Sequence, residues 1–156
     1  MTDGSRVGKT PLLGALTESG AELSDFLGGV IAFFGYFGGA VAFSLAFGFV
    51  YLRLTPHREF DLIVREHNAS AAIALSGTML GFAIALAGAI HNTRSVPEFL
   101  AWGVIAALAQ LVAYALARLT HPNLSQAIEH NALASAIWLA AVSIAAGIVC
   151  DACMSP

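Results

Sequence analysis

Charge is what this chain has least of. Its 156 residues include 7 Lys and Arg and 10 Asp and Glu, so only 11% are charged, where a soluble domain carries about 25%. Too few charges remain to cover a water-facing surface, and 58% of the residues are hydrophobic. A net charge of -3 with so few basic residues argues against a nucleic-acid partner. There are two cysteines, Cys150 and Cys153, which excludes a disulfide-stapled secreted miniprotein. Catalytic signatures are missing too. The sequence has no GxSxG, no HExxH, no P-loop and no dinucleotide-binding fingerprint, so it does not read as an enzyme. No motif names a cofactor.

Two further absences concern the membrane. No apolar run follows Arg6 and Lys9; Pro11 and Gly14 interrupt the stretch, and Glu18, Glu22 and Asp25 close it. A cleaved signal peptide is therefore not expected. Residues 1–25 read as a mobile tail, with a weak amphipathic helix through Leu12, Leu16 and Leu23 as the alternative. Strict apolar–polar alternation, the mark of a transmembrane barrel, is also absent.

What is present is four stretches without Asp, Glu, Lys or Arg: 26–52, 67–93, 99–117 and 130–150. Each is close to the roughly 20 residues that cross a hydrocarbon core as a helix. Backbone groups in lipid must be satisfied within the protein, and runs such as Ala83-Ile84-Ala85-Leu86-Ala87 are apolar on every helical face. The expected fold is all-α, with four transmembrane helices.

Those helices form a duplicated pattern. Arg53-Leu54-Thr55 recurs as Arg118-Leu119-Thr120, and Glu66-His67-Asn68-Ala69 recurs as Glu129-His130-Asn131-Ala132, at offsets of 65 and 63. His57 falls opposite His121. Each unit, 26–93 and 98–153, reads as helix, linker, helix. Two spans return the chain to its starting side, so the units insert in parallel, as a pseudo-two-fold four-helix bundle over 26–156. Each linker carries a short helix in the headgroup plane. In the first, Thr55 and Pro56 start it and Phe60, Ile63 and Val64 share a face. In the second, Leu124, Ala127 and Ile128 do so. Asn68 and Asn131 sit where the next span begins, each suited to cap its own helix. Arg53, Arg58, Arg65 and Arg118 lie in the linkers 53–67 and 118–130, against Arg94 and the distant Arg6 and Lys9 on the other side. The bias places the linkers in the cytoplasm and both termini in the periplasm.

At these residues the chain resembles the YjfL-like proteins, an uncharacterised family of bacterial inner-membrane proteins built from a duplicated two-helix unit (domain of unknown function 350). The resemblance rests on Asn68-Ala69-Ser70-Ala71-Ala72-Ile73-Ala74-Leu75-Ser76-Gly77, Gly81-Phe82-Ala83-Ile84, Trp102, Gln110-Leu111, Arg118-Leu119 and Ala152-Cys153-Met154, in that order and spacing. It covers the chain from about residue 26 onward. Two positions depart from it: His67 stands where relatives carry a small residue, and Asp151 where they carry an uncharged polar one. The resemblance implies an inner-membrane location and a link to envelope stress, and no known reaction.

Four sets of residues are candidates for a role. Gly35 and Gly39, Gly77 and Gly81 with Ala85, and Ala136 with its neighbours Ala132 and Ala140 form small-residue ridges, which pack helices within the bundle or join subunits. Gln110 lies mid-span, with Ser44, Ser76, Thr78 and Ser143 as hydrogen-bond partners. Cross-helix bonding explains it more simply than a permeation site. His57, His67, His121 and His130, with Glu66 and Glu129, have the donor chemistry for Zn or Fe, although duplication of interfacial histidines accounts for them without a metal. Cys150, Cys153 and Met154 could form a redox pair or bind Cu(I), and a CxxC at a helix end is equally explained by packing. The sequence therefore reads as a non-enzymatic scaffold or subunit embedded in the lipid bilayer, partnered by itself or by another inner-membrane protein. A homo-oligomeric channel is the first alternative, and a metal or redox protein the second.

Overall fold

The computed structural model describes residues 11–55 and 59–154. Among them six helices follow one another and there is no strand: α1 (Pro11–Leu54), α2 (Glu59–Val64), α3 (Ala69–Asn92), α4 (Val96–Thr120), α5 (Leu124–Glu129) and α6 (Leu133–Met154). Four are long and apolar enough to cross a membrane, over Glu18–Leu54, Ala69–Asn92, Val96–Thr120 and Leu133–Met154. These are the four stretches free of charge, each extended into its polar ends.

The helix ends follow local chemistry. α1 starts at Pro11, within the segment read as a tail, where a proline loses no intrahelical bond. Extending an existing helix is far easier than nucleating one, so the Leu- and Ala-containing stretch before residue 26 joins the span that follows it. At the other end of α1, the Thr55 hydroxyl donates to the Tyr51 carbonyl at 2.6 Å, and the chain continues into Pro56. α4 carries a proline in its first turn, and the Glu98 carboxylate reaches back to accept the Arg94 N–H at 3.1 Å. α4 ends at Thr120, just before His121-Pro122, because the residue before a proline disfavours helical geometry.

The described chain falls into two units, Met1–Gly35 and Tyr36–Pro156. The described part of the first is helix alone and exposes Leu23, Phe26, Ile31, Phe33 and Phe34, with the rings of Phe33 and Phe34 edge to face at 5.5 Å. Gly35 ends this unit.

The second unit holds the core. Its principal contact is between α3 and α6, with α4 packed on both. One apolar cluster, toward the linkers, gathers Tyr51, Ala74, Tyr114, Ala117 and Leu139 with Leu62 of α2 and Leu124 and Ile128 of α5. The other, toward the opposite end, gathers Phe47, Phe82, Ala85, Phe99, Ala106 and Met154. Residues 36–54 of α1 are held to it by aromatic side chains: Phe47 stacks on Phe82 at 4.3 Å, and Tyr36 and Phe43 meet Phe99 edge-on. The short helices use two faces. α5 buries Leu124 and Ile128, as its pattern predicts, whereas α2 buries Leu62 and leaves Phe60 and Val64 exposed. The Phe60–Ile63–Val64 face of α2 is thus divided between the core and the surroundings.

Candidate functional site

The most distinctive geometry is the seam between α3 and α6. Gly77 lies against Ala140, Gly81 against the Ser143 carbonyl and Gly147, and Gly88 against the backbone of Asp151. A Cβ at any of these glycines would collide with backbone, so only glycine permits the approach. The order of the pairs makes the two helices parallel. Small residues let dispersion act between backbones, the main source of packing energy between helices in lipid. Ala85 and Ala136 are fully buried and complete the ridge on each side. Gly39, by contrast, makes room for the Phe99 ring on α4. Gly77, Gly81, Ala85 and Ala136 were legible as small-residue ridges. Gly88 and Gly147 were not singled out, although each lies seven or four residues from a small residue on the same face (Gly81 and Ser143).

Polar groups cross the middle of the seam. The Gln110 amide, on α4, donates through Nε2 to the Ser143 carbonyl at 3.1 Å, and the Thr78 and Ser143 hydroxyls lie 3.4 Å apart. Thr78 also donates to the Ala74 carbonyl of its own helix at 2.9 Å. Of the other expected partners, Ser44 bonds its own helix at Ala40 and Ser76 is exposed. Gln110 is 1% exposed, and its Oε1 has no hydrogen-bond partner, nor does the Tyr114 hydroxyl one turn further along α4.

At the linker end, Asn68 and Asn131 form a clasp. Asn68 Oδ1 accepts the Ala71 N–H at 2.9 Å, so it caps α3 as expected. Its Nδ2 donates to the Ile128 and Glu129 carbonyls, each at 3.0 Å, and so closes the end of α5 as well. Asn131 does not cap α6. Its Oδ1 accepts the Ser70 N–H at 3.0 Å, so both asparagines serve α3. The cause is backbone geometry: Asn131 has φ 58, a left-handed conformation that asparagine tolerates, and this turns its side chain away from α6. At the earlier Glu-His-Asn-Ala tetrapeptide it is His67, with φ 51, that takes the left-handed turn. The repeated tetrapeptide therefore turns one residue earlier in one copy than in the other.

The remaining candidates stay apart. Glu66, His67, Glu129 and His130 are exposed and His121 is half-buried. Among the described residues no three His, Cys, Asp or Glu side chains come together as a metal site. His57 lies outside the described residues. Cys150 and Cys153 are both free thiols, Cys150 half-buried and Cys153 exposed. Met154 is buried in a core cluster against which Cys150 also packs.

Four apolar spans, a close glycine seam of the kind transmembrane helices favour, and linker helices half-exposed at one end define a multi-span membrane protein. The family model described as Domain of Unknown Function (DUF350) matches residues 25–154, and the chain belongs to that family. Two relatives are the inner membrane protein YjfL of Escherichia coli strain K12 and that of Escherichia coli O157:H7. Each is 40% identical over 129 residues, which cover 83% of this chain and 97% of the relative. No solved structure matches the chain.

Proposed function

We propose that this protein is a non-enzymatic scaffold or subunit of an assembly in the bacterial inner membrane, acting through the faces it turns to the bilayer. The observation that carries this reading is the filled seam: Gly77, Gly81, Gly88 and Gly147 bring α3 and α6 into backbone contact, which leaves no aqueous path between them. Gln110 is spent on bonding α4 to Ser143. The charge-free middles of α3, α4 and α6 offer no carboxylate or amine to carry a proton, which a coupled transporter normally needs. The relatives' designation as inner membrane proteins supports the inner membrane as the location. The excess of arginine in the linkers supports a cytoplasmic placement of α2 and α5 and periplasmic termini. The family resemblance extends the reading to envelope stress.

Native mass spectrometry of the protein extracted gently from its own membrane tests the proposal. The expected result is a complex containing a second polypeptide in fixed stoichiometry. A ring of copies at multiples of 16.2 kDa, with no other chain, would replace the scaffold with the homo-oligomeric channel and make conductance the next assay. A bare monomer would contradict both.

A further inference from the structure

A groove opens between residues 44–52 of α1, the short α2 and α3. Its volume is about 410 Å³, within the range of pockets that hold small ligands. Leu45, Phe49 and Leu52 form one wall, Met79 the other, and Phe60 of α2 stands at the linker end. Gly48 keeps the slot open: a Cβ there would meet only the flexible end of Met79, at 3.6 Å. The eight helical steps from Ser44 to Leu52 make the slot about 12 Å long, so it runs from the linker end of the bundle toward its middle.

Among the described side chains, Arg53 is the cation beside its mouth. The Arg53 guanidinium lies 4.6 Å from the centre of the Phe49 ring, one turn after Phe49 and next to Leu52 of the slot wall. Arg53 is exposed, and among the described residues it has no carboxylate partner; Arg65, at the same end, pairs with Asp61 at 3.6 Å. Stacking on Phe49 fixes the planar guanidinium while leaving its N–H donors free for oxygen acceptors.

An apolar slot in the leaflet with a fixed cation at headgroup height is the complement of an amphiphile with an anionic head. We propose that this groove binds one anionic glycerophospholipid of the linker-side leaflet, an acyl chain lying along Gly48 and the phosphate on Arg53. A transmembrane helix of a second copy fits poorly. It is about 10 Å across and needs small residues on both sides, whereas the rims here are the exposed side chains of Leu45, Phe49 and Phe60. The inference does not depend on the scaffold reading, because a channel subunit would carry the same groove.

The test is native mass spectrometry of the full chain in detergent, titrated with dioleoylphosphatidylglycerol or dioleoylphosphatidylethanolamine. The first bound lipid should favour the anionic species roughly fivefold, the effect of one interfacial arginine. Arg53→Gln should abolish the preference while leaving the ethanolamine lipid bound as before. Gly48→Leu should fill the slot and lower binding of both lipids. Arg94→Gln, at the opposite end, should match the parent. Equal binding of both lipids by the parent, or a preference that survives Arg53→Gln, would overturn the proposal. So would a dimer, unaffected by lipid, that Gly48→Leu dissociates, since a second copy would then own the groove. If Gly48→Leu does not fold, Arg53→Gln still decides the matter, because that side chain is exposed.

Discussion

Removing the Asn131 side chain frees the Ser70 N–H at the start of α3 and takes nothing from α6. Asn131→Gly, which keeps the left-handed backbone at φ 58 without strain, should therefore cost about 1 kcal/mol, the usual value of a cap. In hydrogen exchange followed by mass spectrometry, faster exchange should appear at the first turn of α3, with α6 unchanged. Asn68→Ala should cost more, because it also frees the Ile128 and Glu129 carbonyls. The capping role of Asn68 was legible because a cap acts on the residues just after it. That of Asn131 was not. Its partner is 61 positions away, and a left-handed backbone at Asn131 rather than at His130 is decided by how the turn packs. Gln110 has the opposite balance. Its bond to Ser143 contributes on the order of 0.6 kcal/mol, the average for such bonds in membranes. Leaving Oε1 unpartnered in the core costs about 1–3 kcal/mol. The cost exceeds the gain, so Gln110→Met, similar in volume, should leave thermal stability unchanged or raise it. Gln110→Glu should destabilise the protein sharply.

Among the elements, α3 and α6 carry the fold, and glycine decides how near they come. Gly81→Ala and Gly147→Ala each place a methyl against backbone that cannot move aside. Each should cost about 1–3 kcal/mol or more, as overpacking does, and lower the melting temperature in detergent. Gly38→Ala, where a Cβ meets nothing within 4 Å, should be neutral or slightly stabilising. The four spans were legible because charge is too costly in lipid to appear within them. The face of α2 was less so. A helix at the headgroup level has two apolar neighbours, the bundle and the bilayer, and composition does not say which of them takes Leu62 and which takes Phe60. The histidines were legible only as a repeated pattern. The left-handed turn falls at His67 in one tetrapeptide and at Asn131 in the other, so the sequence match does not extend to the backbone.

For the molecule as a whole, the central claim is that α3 and α6 stand side by side and parallel, so that both linkers gather at one end and the interior is shut. Distances between pairs of spin labels test it most directly. Labels go on exposed positions, after Cys150→Ser and Cys153→Ser, as Ala69→Cys with Leu133→Cys, Ala87→Cys with Val149→Cys, and Ala69→Cys with Val149→Cys. The first two pairs should give similar, short distances. The third should be much longer, because its labels are offset by about 25 Å along the helix axes at 1.5 Å per residue. A short distance for Ala69 with Val149 and a long one for Ala69 with Leu133 would make the helices antiparallel. That result would contradict the glycine seam, the asparagine clasp and the closed interior together.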